Sequence, residues 1–371
     1  MAAPTHRLPT NRGCLLAVAL ACSGDVACAP SDEVFETQQL DVRPGEEICG
    51  GTLVSLDEES SRISQTIRLE WSSRLQFGFG EELVADECMG AGEIEEVAGC
   101  ARGFGGDTEV FADLFSSSHE LVHGLRRMHG LRGPPFFSEG LAELVGSRRP
   151  FSAQVLVVDA SAVVRGPAEL AFDVEVSEEH YRLGAHFLAW LSDREGEDAV
   201  MAFLRDPTFE LEPPEPVAVA DAFRVHFGDD LVAADQQWRS TASVRYDRGQ
   251  WCAEDNWLDP DATEIVVAGD FDFAASDTLG PPGLHHLPSC LALSEPATLR
   301  VDIDVDELDV NIGLIGCPDG AGTGAAFHDK FVEAGTGPQE LEFGACQWWI
   351  RIGNPQGVSG PYRLTLTRDP M

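Results

Sequence analysis

Positive charge is scarce in this chain. Its 371 residues include 25 Lys and Arg against 63 Asp and Glu, which leaves a formal net charge of -38 at pH 7. Proteins bind nucleic acids and anionic membranes largely through Lys and Arg, so the charge argues against both as partners. At 43% hydrophobic residues the chain is nevertheless apolar enough to fold, and its length leaves room for two domains.

Long apolar runs are also missing, apart from a short one near the N-terminus. Arg7 and Arg12 precede the apolar residues 14–21, a stretch too short to span a bilayer but typical of a signal-peptide core. Ala19 and Ala21 form a small-residue cleavage site, and the next residue, Cys22, makes the same bond imperfectly similar to a bacterial lipobox. We therefore predict a signal peptide over 1–21 and a linker over 22–39. The protein is expected to be exported, either secreted or a bacterial cell-envelope lipoprotein that meets the membrane only through Cys22.

No two cysteines have the CxxC spacing of a cysteine zinc site. Of the 10 cysteines, Cys14 leaves with the signal peptide and Cys22 is assigned to lipid, so eight remain. An even number suits disulfides in an oxidising compartment. Short loop closures favour three pairs: Cys88 with Cys100, Cys252 with Cys290, and Cys317 with Cys346.

The segment His119-Glu120-Leu121-Val122-His123 predicts a metal site. On a helix, residues four apart lie on one face, so both imidazoles can bind the same ion. Glu120 is displaced around the helix, where it can take a proton from a metal-activated water without being a ligand. Zinc in a catalytic site needs a third protein ligand and an open position.

The second segment, Ser138-Glu139-Gly140-Leu141-Ala142-Glu143, supplies that ligand. Gly130, Gly133 and two prolines precede it and favour a turn, after which Ser138 is the predicted N-cap of a returning helix. Glu139, in the first turn of that helix, is the candidate third ligand. Glu143, one turn further, can accept a hydrogen bond from a histidine Nδ1.

Together these two segments resemble the gluzincin metallopeptidases, in which two histidines of HExxH and a glutamate of a downstream EGLAE segment hold zinc. The resemblance implies that His119, His123 and Glu139 are ligands, that Glu120 is the general base and that Glu143 supports a ligand. It extends weakly over residues 40 to 245. The spacer between His123 and Glu139 is shorter than in the best-known gluzincins.

A competing third ligand is His129, ten residues after His119, which is the spacing that metzincins use. Those proteins have a glycine where this chain has Arg126, and the glycine lets the helix end sharply. Because Arg126 can continue the helix and no Met-turn follows, we favour Glu139 over His129.

Two further features bear on catalysis. The run Thr108–Ala112, just before the metal helix, is a candidate edge strand that binds the substrate main chain, although an ordinary strand fits it equally well. Tyr181 is a candidate donor to the oxyanion, with a packing role as the alternative. It lies in residues 178–206, whose periodicity predicts helix with a break at Gly196.

Beyond Arg245 the pattern changes to alternating apolar and polar residues between turns, as in residues 297–305, which predicts a β-sandwich. This half resembles the C-terminal accessory domains of secreted bacterial peptidases. Asp302, Asp304, Asp306 and Asp309 are candidate calcium ligands, but exposed carboxylates on a strand face are the commoner explanation of such a pattern.

The sequence therefore predicts an α+β fold: a zincin-like metallopeptidase domain over 40–248 followed by an all-β sandwich over 249–371. The predicted activity is hydrolysis of peptide bonds in a peptide or protein substrate, with Zn2+ as cofactor. The alternative is a non-catalytic surface-binding lipoprotein whose zinc is structural or absent.

Overall fold

The structure is a computed structural model. It describes residues 34–45, 48, 50–88, 99–113, 117–146, 156–210, 215–246, 257–271, 285–303, 309–316, 330–333, 337–354 and 360–368.

The N-terminal part of the described chain contains a five-stranded sheet flanked by helices. Its elements are β1 (Phe35–Glu36), β2 (Leu40–Pro44), α1 (Gly50–Ile67), β3 (Leu75–Phe79), α2 (Glu81–Cys88), β4 (Gly99–Arg102) and β5 (Glu109–Ala112). The strand order is β1-β2-β3-β5-β4, with β2, β3 and β5 parallel and the two outer strands antiparallel to their neighbours. Strand β1 lies inside the segment 22–39 that was predicted as a linker. Phe35 and Glu36 pair with β2 across a turn, so this end of the segment belongs to the sheet.

The prediction that Thr108–Ala112 forms an edge strand is wrong. Strand β5, which contains most of Thr108–Ala112, pairs with β3 on one side and β4 on the other, so it is an interior strand. Its residues Val110, Phe111 and Ala112 are buried, and a continuous apolar run is typical of a strand that is covered on both faces of its sheet. Among the described strands, β4 forms that edge of the sheet.

Helices dominate the next part of the chain. The elements are α3 (Ser117–Met128), α4 (Pro135–Gly146), β6 (Leu156–Val157), α5 (Pro167–Leu170), α6 (Glu178–Glu195), α7 (Glu197–Phe203), α8 (Pro216–Phe227), α9 (Leu231–Thr241) and β7 (Arg245–Tyr246), which pairs with β6. The predicted break at Gly196 is confirmed, since α6 ends before it and Gly196 has a φ of 89°. One hydrophobic cluster joins these helices to the sheet and includes Phe77, Leu121 and Phe187.

Helices α4 and α6 cross at two glycines. A Cβ added to Gly140 would lie 2.7 Å from the Cα of Gly184, so neither residue has room for a side chain. The two backbones therefore approach each other closely. This contact places Glu139 of α4 and Tyr181 of α6 in the same region of the molecule.

The C-terminal part is all β in the residues described. Its strands are β8 (Trp257–Leu258), β9 (Glu264–Phe271), β10 (His285–Ala292), β11 (Ala297–Ile303), β12 (Asp309–Gly316), β13 (Lys330–Glu333), β14 (Gln339–Phe343), β15 (Gln347–Asn354) and β16 (Gly360–Arg368). They form two sheets, ordered β13-β12-β15-β10-β8 and β14-β11-β16-β9. Residues of both sheets, such as Ile350 and Val301, share one hydrophobic cluster, which is the arrangement of a β-sandwich. The whole chain therefore mixes α and β structure, as the sequence predicts.

The predicted disulfide between Cys88 and Cys100 is present and joins the end of α2 to β4. Cys290 and Cys346 are also disulfide-bonded, while their predicted partners Cys252 and Cys317 lie outside the described residues. The signal peptide and Cys22 lie outside them too, as do Asp304 and Asp306 of the candidate calcium site. Over the residues described, no helix has the length and apolar character needed to cross a membrane.

Candidate metal centre

Helix α3 carries the two histidines of the HELVH segment. Leu121, Val122 and Leu125 are fully buried and fasten one face of this helix to the core. His119 and His123 lie one turn apart on a neighbouring face and remain partly exposed. The burial of the apolar residues thus fixes the direction in which both imidazoles point.

Helix α4 brings the glutamate back to the histidines. The six connecting residues 129–134 include Gly130 and Gly133, each with a φ of 74°, a conformation that favours glycine. The prediction that Ser138 is the N-cap is wrong, because α4 begins at Pro135 and the Ser138 N–H already donates to Pro134 O. Proline suits the first helical turn, so the helix starts earlier and Glu139 lies in its second turn.

The structure brings the three predicted ligands together. The Nε2 atoms of His119 and His123 are 3.1 Å apart, and Oε2 of Glu139 lies 3.2 Å from the first and 3.1 Å from the second. Zinc bonds of about 2.0 to 2.1 Å in a tetrahedral site place neighbouring ligand atoms roughly 3.3 Å apart. The three donor atoms therefore have the spacing of one face of such a tetrahedron. Two imidazoles and a carboxylate also form a donor set that suits zinc.

Glu120 is the buried carboxylate next to this cluster. Only 8% of the residue is exposed. Burial raises the pKa of Glu120, and the nearby His123 and His119 oppose this shift. A carboxylate with a raised pKa is a stronger base than one in water, which is the property a general base requires.

Glu143 lies one turn beyond Glu139 and faces the other nitrogen of His119. Its Oε2 is 3.7 Å from His119 Nδ1, slightly beyond a normal hydrogen bond. Its Oε1 is buried and has no hydrogen-bond partner among the described residues. Glu143 therefore faces a histidine Nδ1 as predicted, but the two atoms are too far apart for a direct hydrogen bond.

Tyr181 of α6 also reaches the centre. Its ring stacks on that of His119 with centroids 5.5 Å apart and an angle of 29° between the planes. Burial raises the pKa of Tyr181, and Glu139, Glu120 and Glu143 raise it further. The phenol therefore stays protonated at neutral pH and can donate a hydrogen bond.

The carboxylates make the centre strongly attractive to positive charge. Burial lowers the pKa of His119, but Glu139 and Glu143 outweigh burial and bring the pKa to about 10. Burial alone would raise the pKa of Glu139, whereas His123 and His119 hold it well below its usual value. A cation at the cluster, either a proton or a metal ion, is therefore favoured.

His129 does not join the cluster, which argues against the metzincin alternative. Helix α3 continues through Arg126 to Met128, as expected for a residue other than glycine. His129 is directed elsewhere, with its Nε2 2.7 Å from the carbonyl oxygen of Glu70. In the part of the chain that the structure describes, the only metal-binding group of three residues is His119, His123 and Glu139.

Sequence reasoning missed the environment of Arg126. This residue is 2% exposed, and none of its three side-chain nitrogen atoms has a hydrogen-bond partner in the described part of the chain. Burial lowers its pKa to about 10, so the guanidinium is still charged at neutral pH. The sequence did contain a signal, because Arg126 follows Val122 by four residues on the buried face of α3.

The remaining histidines of the helical part have packing roles. His180 and His186 are fully buried, and Trp238 Nε1 donates to Nδ1 of His186 at 3.0 Å. His226 lies 2.9 Å from a carboxylate oxygen of Asp206. These contacts explain why the three histidines lie where they do without a role at the metal cluster.

Comparisons with known proteins give no family for this chain. No protein-family model and no curated protein matches it. Among solved structures, PliG of Aeromonas hydrophila, a periplasmic inhibitor of g-type lysozyme, is 18% identical over 29% of this chain and 89% of its own, with a TM-score of 0.21. The pre-peptidase C-terminal domain of a Bacillus anthracis collagenase is 6% identical over 28% of this chain and 87% of its own, with a TM-score of 0.20. Similarities of this size carry no argument about function.

Proposed function

We propose that this chain is an exported zinc metallopeptidase that hydrolyses peptide bonds. The observation that carries the proposal is the cluster of His119, His123 and Glu139, whose donor atoms lie within 4.8 Å of one another, with Glu120 buried on the same helix. A structural metal site has no need of a buried carboxylate that is not a ligand. A hydrolytic site needs such a group as its base.

Each side chain then has a chemical role. Zinc bound to the three donors would supply Lewis acidity, polarising a carbonyl and lowering the pKa of a water molecule. Glu120 accepts a proton from the attacking water and delivers it to the nitrogen of the departing amine, so no net proton is consumed. Tyr181 donates a hydrogen bond to the oxygen on which negative charge develops. Glu143 orients His119 through Nδ1.

The topology of the sheet offers a strand to which the substrate main chain can bind. In the described part of the sheet, β4 pairs only with β5. Extended peptides bind to free strand edges by adding a further strand. We therefore assign the role expected for Thr108–Ala112 to β4 (Gly99–Arg102), next to the metal helix. Within this proposal the zincin-like fold and the resemblance to gluzincins apply to the α/β part of the chain.

Export belongs to the same proposal. Disulfide bonds persist mainly in oxidising compartments, and this chain has Cys88 bonded to Cys100 as well as bonded Cys290 and Cys346. Secretion or attachment to a bacterial envelope through Cys22 accounts for them. The net charge of -38 leaves nucleic acid a poor partner.

A surface-binding lipoprotein with a structural zinc, or none, is the competing function. The test combines the zinc content of the purified protein with hydrolysis of a mixed peptide library by wild type and Glu120→Gln. We expect zinc in both proteins and hydrolysis by the wild type alone, with a loss of at least about 100-fold in the variant. Full activity in Glu120→Gln would exclude the mechanism, and a zinc-loaded wild type that cleaves no peptide would favour the binding protein.

A further inference from the structure

An arginine follows the two histidines along one side of α3. Arg127 comes four residues after His123, just as His123 comes four residues after His119, so the three positions succeed one another by single helical turns. The rise of a helix places Arg127 about 6 Å beyond His123 along the axis. Arg127 is partly exposed and has no role in the hydrolysis proposed above.

The charge of Arg127 is felt at the metal centre. Burial lowers the pKa of Arg127, and the charges of Glu120 and Glu139 oppose this shift. Burial also raises the pKa of Glu120, which the two histidines and, less strongly, Arg127 counteract. These interactions act without contact, because Arg127 forms no ion pair with any carboxylate of the described residues. A guanidinium is always charged at neutral pH, so a positive charge close to the centre has no direct counterion there.

The ring of Phe104 holds this guanidinium beside a second one. The centroid of the ring lies 5.3 Å from Cζ of Arg127 and 3.4 Å from Cζ of Arg132. Burial lowers the pKa of Arg132, and the positive charge of Arg127 lowers it further, so the two cations repel each other. An anion bound next to Arg127 would relieve this repulsion.

Phe104 also lies near the strand that we assign to the substrate main chain. It follows Arg102, the last residue of β4, by two residues. An extended peptide advances about 3.3 Å per residue, so a substrate residue one or two positions from the scissile bond lies within about 7 Å of it. This length matches the distance of about 6 Å between His123 and Arg127 along α3.

The overall charge of the protein makes such a group of cations selective. With 25 Lys and Arg against 63 Asp and Glu, most of the surface repels an anion. A negatively charged part of a substrate therefore binds best where cations are grouped. The planar guanidinium offers a fork of N–H donors that matches a carboxylate, and carboxylate is the anionic group of an unmodified peptide.

We propose that Arg127, beside Phe104 and Arg132, is a specificity-determining residue that binds a carboxylate of the peptide substrate. The carboxylate is either the C-terminus of the peptide or an Asp or Glu side chain, one or two residues from the scissile bond. The inference rests on the proposed function, because the carboxylate is carried by a peptide bound at the metal centre. Arg127 takes no part in the proton transfers assigned to Glu120.

Arg127→Gln tests this subsite, with Arg224→Gln as its matched control. Arg224 is an exposed arginine of α8 that pairs with Asp221, and both variants lose one positive charge. The measurement is kcat/KM on matched peptides, with a free or an amidated C-terminus, and with Glu or Gln at each position of the amidated series. We expect Arg127→Gln to lower kcat/KM for the preferred carboxylate peptide by roughly 10- to 100-fold, mainly through KM, and to leave its neutral counterpart nearly unchanged. Arg224→Gln should behave as wild type.

The preference of the wild type identifies the source of the carboxylate. A preference for the free C-terminus assigns the terminal carboxylate, and a preference for Glu over Gln at one position assigns a side chain. Arg127→Gln must abolish whichever preference is found. Absence of any preference in the wild type would overturn the subsite. An equal loss for charged and neutral peptides in Arg127→Gln, with a shifted pH profile, would also overturn it, because Arg127 would then act through Glu120.

Binding of the same peptides to zinc-loaded Glu120→Gln, with and without Arg127→Gln, separates this inference from the proposed function. If the wild type cleaves nothing but Arg127→Gln removes selective binding of the carboxylate peptide, the peptidase proposal fails and the subsite remains. Cleavage without selectivity has the reverse meaning, and absence of both cleavage and binding removes both. If Arg127→Gln does not fold, Arg127→Lys replaces it: the loss of the fork should weaken the preference, and an unchanged preference would overturn the subsite.

Discussion

The α/β part and the β-sandwich bury different kinds of side chain. Between residues 35 and 246, the buried residues include Glu120, Arg126, His180 and His186. Between residues 257 and 368, the buried side chains that the structure describes are apolar or cysteine, such as Ile350 and Cys290. Burying an ionisable group costs free energy unless it is paired. His180 and His186 each accept a hydrogen bond at Nδ1, whereas Glu120 lies beside the metal cluster, where the proposed function gives its carboxylate a role as a base. Within that proposal the chemistry belongs to the α/β part, and the buried residues described in the sandwich serve packing.

Removing a metal ligand from the α/β part should reduce zinc affinity more strongly than any of the substitutions below changes it. Glu139→Ala should lower zinc affinity by more than about 100-fold, because a catalytic site has only three protein ligands. His129→Ala should leave the affinity unchanged, since His129 contacts Glu70 instead. Competition with a chelator of known affinity measures both. Zinc loss in His129→Ala together with tolerance of Glu139→Ala would restore the metzincin alternative.

A core substitution in the sandwich should lower stability without affecting the metal centre of the α/β part. Ile350 is fully buried, so Ile350→Ala is expected to lower the free energy of unfolding by about 2 to 5 kcal/mol. Zinc content should not change, because the described residues of the sandwich contribute no ligand. Val266→Ala, at an exposed site on β9, is the control. Denaturant unfolding and zinc analysis are carried out on the same samples. Loss of zinc from Ile350→Ala would show that metal binding depends on the core of the sandwich.

Glu143→Gln removes the carboxylate that faces Nδ1 of His119. Loss of such a partner typically reduces metal affinity or activity by about 10- to 100-fold, and we expect a decrease in this range. Glu178→Gln changes an exposed glutamate of α6 in the same way and should have no effect. Zinc affinity and kcat/KM are the measurements. Equal behaviour of the two variants would mean that the 3.7 Å contact is incidental.

The binding of zinc should depend on pH. In the metal-free protein the pKa of His119 is about 10, so at pH 7 this residue holds a proton that the metal must displace. Releasing this proton into solution costs more free energy as the pH falls, so the affinity for zinc should decrease by up to about tenfold per pH unit from pH 9 down to pH 7. Calorimetry in two buffers of different ionisation enthalpy should show the release of about one proton. Binding heats that are independent of the buffer would contradict this expectation.

Arg126→Met should produce the smallest effect, and its sign is informative. Arg126 has no hydrogen-bond partner among the described residues and interacts with Glu139 only through their charges, so replacing it by an apolar side chain of similar length is expected to raise the free energy of unfolding by about 1 kcal/mol. Arg224→Met, at an exposed position of α8, should change it little. Denaturant unfolding compares them. A marked destabilisation by Arg126→Met would contradict this expectation and would show that the guanidinium has a partner that stabilises the fold.

Local patterns carried much of the prediction. The spacing of His119 and His123 requires only that the segment be helical, and the break at Gly196 follows from the glycine. Features that depend on competition between neighbouring signals were placed less well. Ser138 is a good N-cap, but Pro135 three residues earlier started the helix first. For β5, apolar character predicted a strand correctly and its position in the sheet wrongly.

The donor set can be read from the sequence, because helical periodicity and residue chemistry are local: two imidazoles one turn apart, a carboxylate beside them and a second glutamate segment after a turn. Which distant groups meet that set depends on tertiary packing, because it brings together residues that are far apart in the chain. Gly140 and Gly184 let α4 and α6 approach closely, and this contact brings Tyr181 onto His119. Sheet order, which depends on strands far apart in the chain, places β4 and not β5 at the edge of the sheet as far as it is described. A cavity lined by Pro135, Phe172 and Pro216 likewise exists only because three separate segments of the chain converge there.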